Sequence, residues 1–340
     1  MKRLLYLDTL RGIAALMVVI FHGILFLDKN PASNTIQYWL TNFFDLGKIG
    51  IVIFFAISGF VITWSLSNKN NLSLFWKSRI LRLYPAYWIS IIFALVFGGG
   101  LLWNDVNYLT IIMNLTMIQQ YLGFQNILGL YWTLAIEMAF YITISTIYLS
   151  THYNDKTFRF ASIFFLMFAF ILATARYILD IKLPVALPLG LSIMFFAALL
   201  QRMIIENDII AKKYVKQYLI LFIITMPIIS LLAYNKNMGY NETWYRYTIS
   251  YFSALFIFIL MTNWLKFSNK IGIFIGKISY SIYLFHPIVM VSVKPLLLNV
   301  YNLFGLFSAI VLLILLTIIT ATIVYYIIEK PFIKLSKKLT

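Results

Sequence analysis

The sequence predicts an all-α, polytopic integral membrane protein with about ten transmembrane helices and both termini in the cytoplasm. Three observations predict it. The 340 residues are 62% hydrophobic and only 11% charged, whereas a soluble globular chain carries roughly 25% charged residues. Apolar runs of about 20 residues, enough to cross a ~30 Å hydrocarbon core, recur from end to end. No separate soluble domain can be cut out, so residues 1–340 read as a single membrane-embedded domain. Finally, the 27 Lys and Arg residues cluster on alternate sides of those runs.

The spans read as 8–27, 47–66, 83–103, 130–150, 160–179, 187–205, 217–234, 247–265, 278–298 and 304–328. The first follows Met1-Lys2-Arg3, but Asp8 and Arg11 interrupt its apolar stretch and no small-residue cleavage site follows, so it is retained rather than removed as a signal peptide. Gly98-Gly99-Gly100 marks a weak point near the end of the third span. Residues 108–122 carry Asn114, Gln119 and Gln120 and are short for a crossing. They read as a re-entrant or interfacial segment.

With ten spans, one side of the membrane holds Lys2 and Arg3; Lys69, Lys77, Arg79 and Arg82; Lys156 and Arg159; Arg202, Lys212, Lys213 and Lys216; Lys266, Lys270 and Lys277; and Lys330, Lys334, Lys337 and Lys338. The opposite loops hold Lys29, Lys48, Lys182, Lys236 and Arg246. The positive-inside rule makes the richer side cytoplasmic. The net charge of +16 is therefore first a topology signal. Nucleic-acid binding would need a soluble basic face, which this chain lacks. The absence of cysteine excludes disulfide scaffolds, thiolate metal sites and a cysteine nucleophile, and no metal site is expected.

Ionisable side chains inside a span are costly and point to function. Arg11, His22, Glu137, Arg176, His286 and Lys294 qualify. Arg176 and Lys294 lie near outer helix ends, where their heads are expected to snorkel to the headgroups. Arg11 and His22 are eleven residues apart, almost three full turns, so they share one helix face about 16 Å apart. His22 then lies past the midplane, ~21 Å from a boundary at Asp8. An imidazole at that depth suits a general base. For Arg11 a plain i,i+3 pair with Asp8 is the competing reading. Glu137, about two turns into its span, must face a cavity or a partner. His286 precedes Pro287, which is expected to kink its helix and free backbone carbonyls; by sequence alone His286 is equally catalytic, substrate-binding or structural. Arg79 and Arg82, with Lys77 beside them, lie at the cytoplasmic surface. Their i,i+3 spacing sets two guanidinium forks on one face, suited to phosphate capture or to contact with anionic membrane lipids.

Several segments together resemble the membrane-bound type-three acyltransferase family of bacterial carbohydrate O-acyltransferases. They are Leu7-Asp8-Thr9-Leu10-Arg11-Gly12-Ile13-Ala14-Ala15 leading to His22; Phe54-Phe55-Ala56-Ile57-Ser58-Gly59-Phe60; Arg79-Ile80-Leu81-Arg82-Leu83-Tyr84-Pro85; Trp132 to Glu137 with Phe140 and Tyr141, where Thr133 replaces the usual Ser; Ser279 to Pro287; and Glu329-Lys330-Pro331-Phe332. The resemblance spans nearly the whole chain. It implies a ten-helix O-acyltransferase of the bacterial cytoplasmic (inner) membrane, in the family's stand-alone form. Such an enzyme moves an acyl group, usually acetyl from acetyl-CoA, to a hydroxyl of a carbohydrate or lipid-linked glycan. On this resemblance His22 is the catalytic histidine with Arg11 its companion, and Arg79 and Arg82, supported by Lys77, grip the phosphates of acyl-CoA. Topology alone brings the acceptor in from the outer side, past Glu137 and the aromatic residues Trp132, Tyr131 and Tyr280. Glu137 is counted with the catalytic candidates, and Trp132, Tyr280 and His286 with the substrate-binding ones. The rival class is a proton-coupled transporter of a glycolipid or small solute, which inverted repeats and paired broken helices would favour; the two halves of the chain show no such correspondence.

Overall fold

The computed structural model describes residues 4–27, 38–39, 42–69, 71–98, 106–150, 153–237 and 242–339. Among them every regular element is helical. Among the described residues nine helices are long and apolar enough to cross a membrane, and one bent pair makes a tenth when taken as a single span. Backbone contacts divide the chain into two compact units, one of residues 1–31, 69–138 and 268–340, the other of residues 32–68 and 139–267.

The first unit opens with α1, Leu5–Leu27. The third predicted span begins earlier than its apolar run. As α3, it covers Leu72–Phe97, capped by Asn71, whose side chain accepts the Leu74 N–H, with Pro85 inside it. The double-arginine segment is therefore the first part of a membrane helix and not a loop beneath it. The cap explains the early start, and a membrane helix tolerates the hydrogen bond that Pro85 cannot make. The predicted end of that span, with Gly99 and Gly100, lies outside the described residues.

Residues 108–122 form no full span. A seven-residue helix, α4 (Tyr108–Asn114), is followed by a 3-10 turn at Gln119–Leu122. Its carbonyl groups are met by aromatic donors on α3. The Tyr87 hydroxyl donates to Asn114 at 2.6 Å, the Trp88 indole to Leu115 at 3.0 Å and the Tyr84 hydroxyl to Thr116 at 2.9 Å. The buried Asn114 side chain donates to Gln125 and accepts from Ile127, closing the return of the chain. Polar residues that looked misplaced in a span thus satisfy the backbone of a short one. The start of α5 (Tyr131–Leu149) completes this part of the unit.

The predicted ninth span is a bent pair, α10 (Lys270–Lys277) and α11 (Ser279–Ser292), turned through 68°. The bend falls at Ile278, where the Ser279 hydroxyl takes the Gly276 carbonyl at 3.0 Å, and not at Pro287, which sits inside continuous α11. The span also ends before residue 298, because Lys294-Pro295 starts α12 (Lys294–Val324), a position where proline suits a helix. Lys294 lies over the Phe26 ring at 5.7 Å. α12 is interrupted at Gly305 and runs through a π turn, Tyr325–Glu329, into the basic α13, Lys330–Leu339. α1 packs against α10, α11 and α12, and α3 against α11 and α13. The approach of α1 to α10 needs glycine: a Cβ at Gly276 would stand 1.8 Å from the Asp8 carbonyl oxygen. Small residues four apart that let membrane helices touch are the usual device for such contact.

In the second unit, α7 (Ala186–Ile205) is buried at every position from Pro188 to Gln201, as a helix that is apolar all round must be. α6 (Asp155–Leu179) and α8 (Ile209–Ala233) pack on it and on each other. The Ser192 hydroxyl meets the Ser162 carbonyl and the Tyr218 hydroxyl, each at 2.7 Å. α2 (Leu46–Lys69) touches α7 through Gly59, where a Cβ would lie 2.0 Å from the Met194 carbonyl. α9 (Trp244–Ile259) completes the unit. Arg176 does not snorkel as expected. It is 2% exposed and lies over the Tyr234 ring at 4.8 Å, an aromatic face that replaces the headgroups as its partner. At the head of α2, Asp45 lies 2.7 Å from Arg246 and 3.2 Å from Lys48, and Lys48 lies 2.5 Å from Glu242. Burial alone would raise the Asp45 carboxyl, but Lys48 and Arg246 outweigh it and hold that carboxyl below its ordinary range.

Candidate active site

The candidate residues gather in the first unit. α1 supplies His22 and Arg11 on one face, and α11 brings His286 across, 264 positions away in sequence. His286 Nε2 lies 3.1 Å from His22 Nδ1. The two ring centroids are 5.1 Å apart and their planes 26° apart, so the rings meet edge to edge. His286 is buried at 1% exposure and its Nδ1 lies 2.8 Å from the Tyr283 carbonyl and 3.2 Å from that of Ile282. His22 is half-buried.

Toward the start of α1, Arg11 lies 3.7 Å from Asp8. The other charges acting on Arg11 are Arg82, Glu137 and Arg79, so the pair with Asp8 anticipated from spacing is one member of a larger cluster. That cluster draws on α1, α3 and α5. The three arginines and Glu137 are half-buried. The repulsion of Arg82 and Arg79 on Arg11 is opposed by the carboxylates of Asp8 and Glu137. Lys77, by contrast, is exposed and two residues from Arg79, hence on another side of α3 and outside this group.

Of the aromatic candidates, the Tyr280 hydroxyl donates to the Leu83 carbonyl at 3.0 Å, and the charges of Glu329 and Glu137 reach it. Trp132 is half-buried and its carbonyl lies 3.5 Å from the Gln120 side-chain nitrogen. Thr133 keeps the hydroxyl of the serine it replaces, and that hydroxyl lies 2.7 Å from the Tyr283 hydroxyl, tying α5 to α11. Among the described residues no group of three or more His, Cys, Asp or Glu is placed to hold a metal ion.

One residue that sequence reasoning left without a role belongs here. Glu329 is 3% exposed, accepts a hydrogen bond from the Ser281 hydroxyl, and feels the charge of Arg82. In the sequence it stands in the segment Glu329-Lys330-Pro331-Phe332. The signal that could have singled it out was scarcity: the chain holds only 11 acidic residues.

The family described as "Acyltransferase domain" matches residues 4–328. Acyltransferase MdmB of Streptomyces mycarofaciens is 29% identical over 154 residues, covering 42% of this chain and 38% of that protein. Nodulation protein 10 of Rhizobium leguminosarum bv. viciae is 31% identical over 162 residues, 40% of this chain and 42% of its own length. A Staphylococcus aureus (strain COL) protein whose name gives it as a candidate O-acetyltransferase is 28% identical over 325 residues, 82% of this chain. The chain thus spans about half the length, or less, of these three curated relatives. No solved structure matches it.

Proposed function

The chain belongs to the type-three acyltransferase family and is an acyl-transferring membrane enzyme, and from that premise we propose that it moves an acetyl group from cytoplasmic acetyl-CoA to a hydroxyl of a carbohydrate or lipid-linked glycan. The observation that carries this reading is the pairing of two sites on α1. The guanidinium groups of Arg79 and Arg82 act on Arg11, and a histidine pair stands at His22, eleven residues further along the helix. The first suits the phosphates of coenzyme A and the second suits proton transfer at the thioester.

Arg79 and Arg82 bind the donor's phosphates, with Arg11 at the inner end of the path and Lys77 adding positive charge at the surface. Glu329 holds Arg82 in place through their mutual attraction. The pantetheine arm threads toward His22. His22 takes the proton of the acceptor hydroxyl, whose oxygen attacks the thioester carbonyl; a C–O bond forms, the C–S bond breaks, and the departing thiolate receives the proton back from His22. General-base help of this kind is worth about 10²–10⁴-fold. Glu137 orients the reacting groups, and Trp132 and Tyr280 offer amphipathic aromatic surface to the acceptor. That the group is acetyl and the acceptor atom oxygen rests on the name of the staphylococcal relative. Cytoplasmic termini rest on the distribution of basic residues, and the bacterial inner membrane rests on the family. The whole chain works as one membrane-embedded domain.

Radiolabelled acetyl-CoA supplied to the purified protein with membrane extract tests the reading. Label appearing in saccharide is the expected result. Label retained on the donor, with solute crossing sealed vesicles instead, would overturn it in favour of a carrier.

A further inference from the structure

We propose that His286 is a positioning residue that fixes the tautomer of His22, making Nε2 of His22 its basic nitrogen; the inference rests on His22 acting as general base. The arrangement begins at Pro287. Proline has no N–H to give the carbonyl four residues back, which is that of Tyr283. The His286 ring meets that carbonyl, with Nδ1 2.8 Å from it and 3.2 Å from the carbonyl of Ile282. A carbonyl only accepts, so His286 Nδ1 carries the hydrogen, and in the neutral ring Nε2 holds the lone pair.

That Nε2 lies 3.1 Å from His22 Nδ1. Two facing nitrogens cannot both present lone pairs at such a distance, so His22 Nδ1 is the donor. The lone pair of His22 is then on Nε2. A His-Pro step in α11 thereby sets the proton on a ring held by α1. The Thr133–Tyr283 hydroxyl contact at 2.7 Å pins α11 to α5 and keeps the His286 ring from drifting. During transfer, His22 Nε2 accepts the hydroxyl proton while Nδ1–H stays bonded to His286 Nε2. The imidazolium is stabilised by an acceptor already in place, and the proton leaves from Nε2 to the thiolate. An orienting partner of this kind matters elsewhere: where it stabilises the wrong tautomer of a catalytic histidine, turnover drops about 10⁴-fold.

The chain has only three histidines, His22, His152 and His286. Protein labelled with ¹⁵N at histidine alone therefore gives three assignable pairs of ring nitrogens. The expected spectrum of the full chain in lipid nanodiscs shows His22 protonated at Nδ1 and unprotonated at Nε2. His286→Leu is expected to move the His22 proton toward Nε2 and lower transfer by about 10²–10⁴-fold, the range of general-base help. His286→Gln, whose amide oxygen accepts, is expected to restore Nδ1–H and most of the rate. Wild-type His22 protonated at Nε2 would overturn the proposal. So would a folded Leu variant with unchanged rate and spectrum, or a folded Gln variant as slow as Leu. His22→Ala separates the two claims: full activity there refutes the general-base reading itself, whereas an inactive His22→Ala beside wild-type His22 protonated at Nε2 refutes only the role of His286.

Discussion

Asp45, Lys48, Glu242 and Arg246 form four ion pairs of 2.5–3.9 Å in the second unit, two anions against two cations. In the first unit, Arg11 answers to two other guanidinium groups as well as to Asp8 and Glu137. Both groups are taken at least partly out of water, and both incur the desolvation cost of charge. The second unit recovers that cost by internal pairing. The first sets the guanidinium groups of Arg11, Arg79 and Arg82 among the carboxylates of Asp8, Glu137 and Glu329 and places a histidine pair along the same helix. The four-charge group of the second unit holds its fold together, whereas on the proposed function the arginines of the first unit bind the donor's phosphates.

The comparison can be broken at four points. The largest effect belongs to His22→Ala, which should cut acyl transfer by at least 10²–10⁴-fold while leaving the thermal midpoint in detergent almost unchanged. Asp45→Ala should do the reverse. Removing one partner of a buried pair costs about 3–5 kcal/mol, read as a lowered midpoint, with the rate per folded molecule retained. A smaller effect is expected from Arg79→Ala and Arg82→Ala, each removing a charged hydrogen bond worth about 1.5–3 kcal/mol, or roughly 10- to 150-fold in donor affinity. Titration calorimetry with a non-reacting acyl-CoA analogue measures it, and unchanged affinity would leave these arginines as topology anchors.

The smallest effect is a pH slope. Because Asp45 has a lower pKa folded than its ordinary 3.8, its contribution to stability is present above pH ~4 and is lost as pH falls through the lower folded value. Unfolding midpoints measured down to acid pH should fall less steeply for Asp45→Asn than for the wild type.

Much of this was legible in the sequence because lipid is a strict solvent. A span needs about 20 apolar residues and each buried charge stands out, so ten crossings, His22, Arg11 and Glu137 could all be read directly. The double arginine was legible too, but its place on α3 was not, since the Asn71 cap carries the helix well below the apolar run. The bend at Ile278 was misplaced to Pro287. Sequence rules see the missing N–H of proline, and do not see the imidazole that takes up the carbonyl it leaves. The contact between His22 and His286, and the link from Glu329 to Ser281 and Arg82, join residues far apart in the chain. No local pattern encodes such a pairing, and only the packing of α1, α3, α11 and the π turn after α12 brings it about.

The most direct test of the account is the initial rate of acyl transfer per folded molecule, measured for His22→Ala and Asp45→Ala side by side at saturating acyl-CoA. The account predicts almost no transfer by His22→Ala and a near wild-type rate for the folded fraction of Asp45→Ala. Transfer retained by His22→Ala, or lost by folded Asp45→Ala, would contradict it.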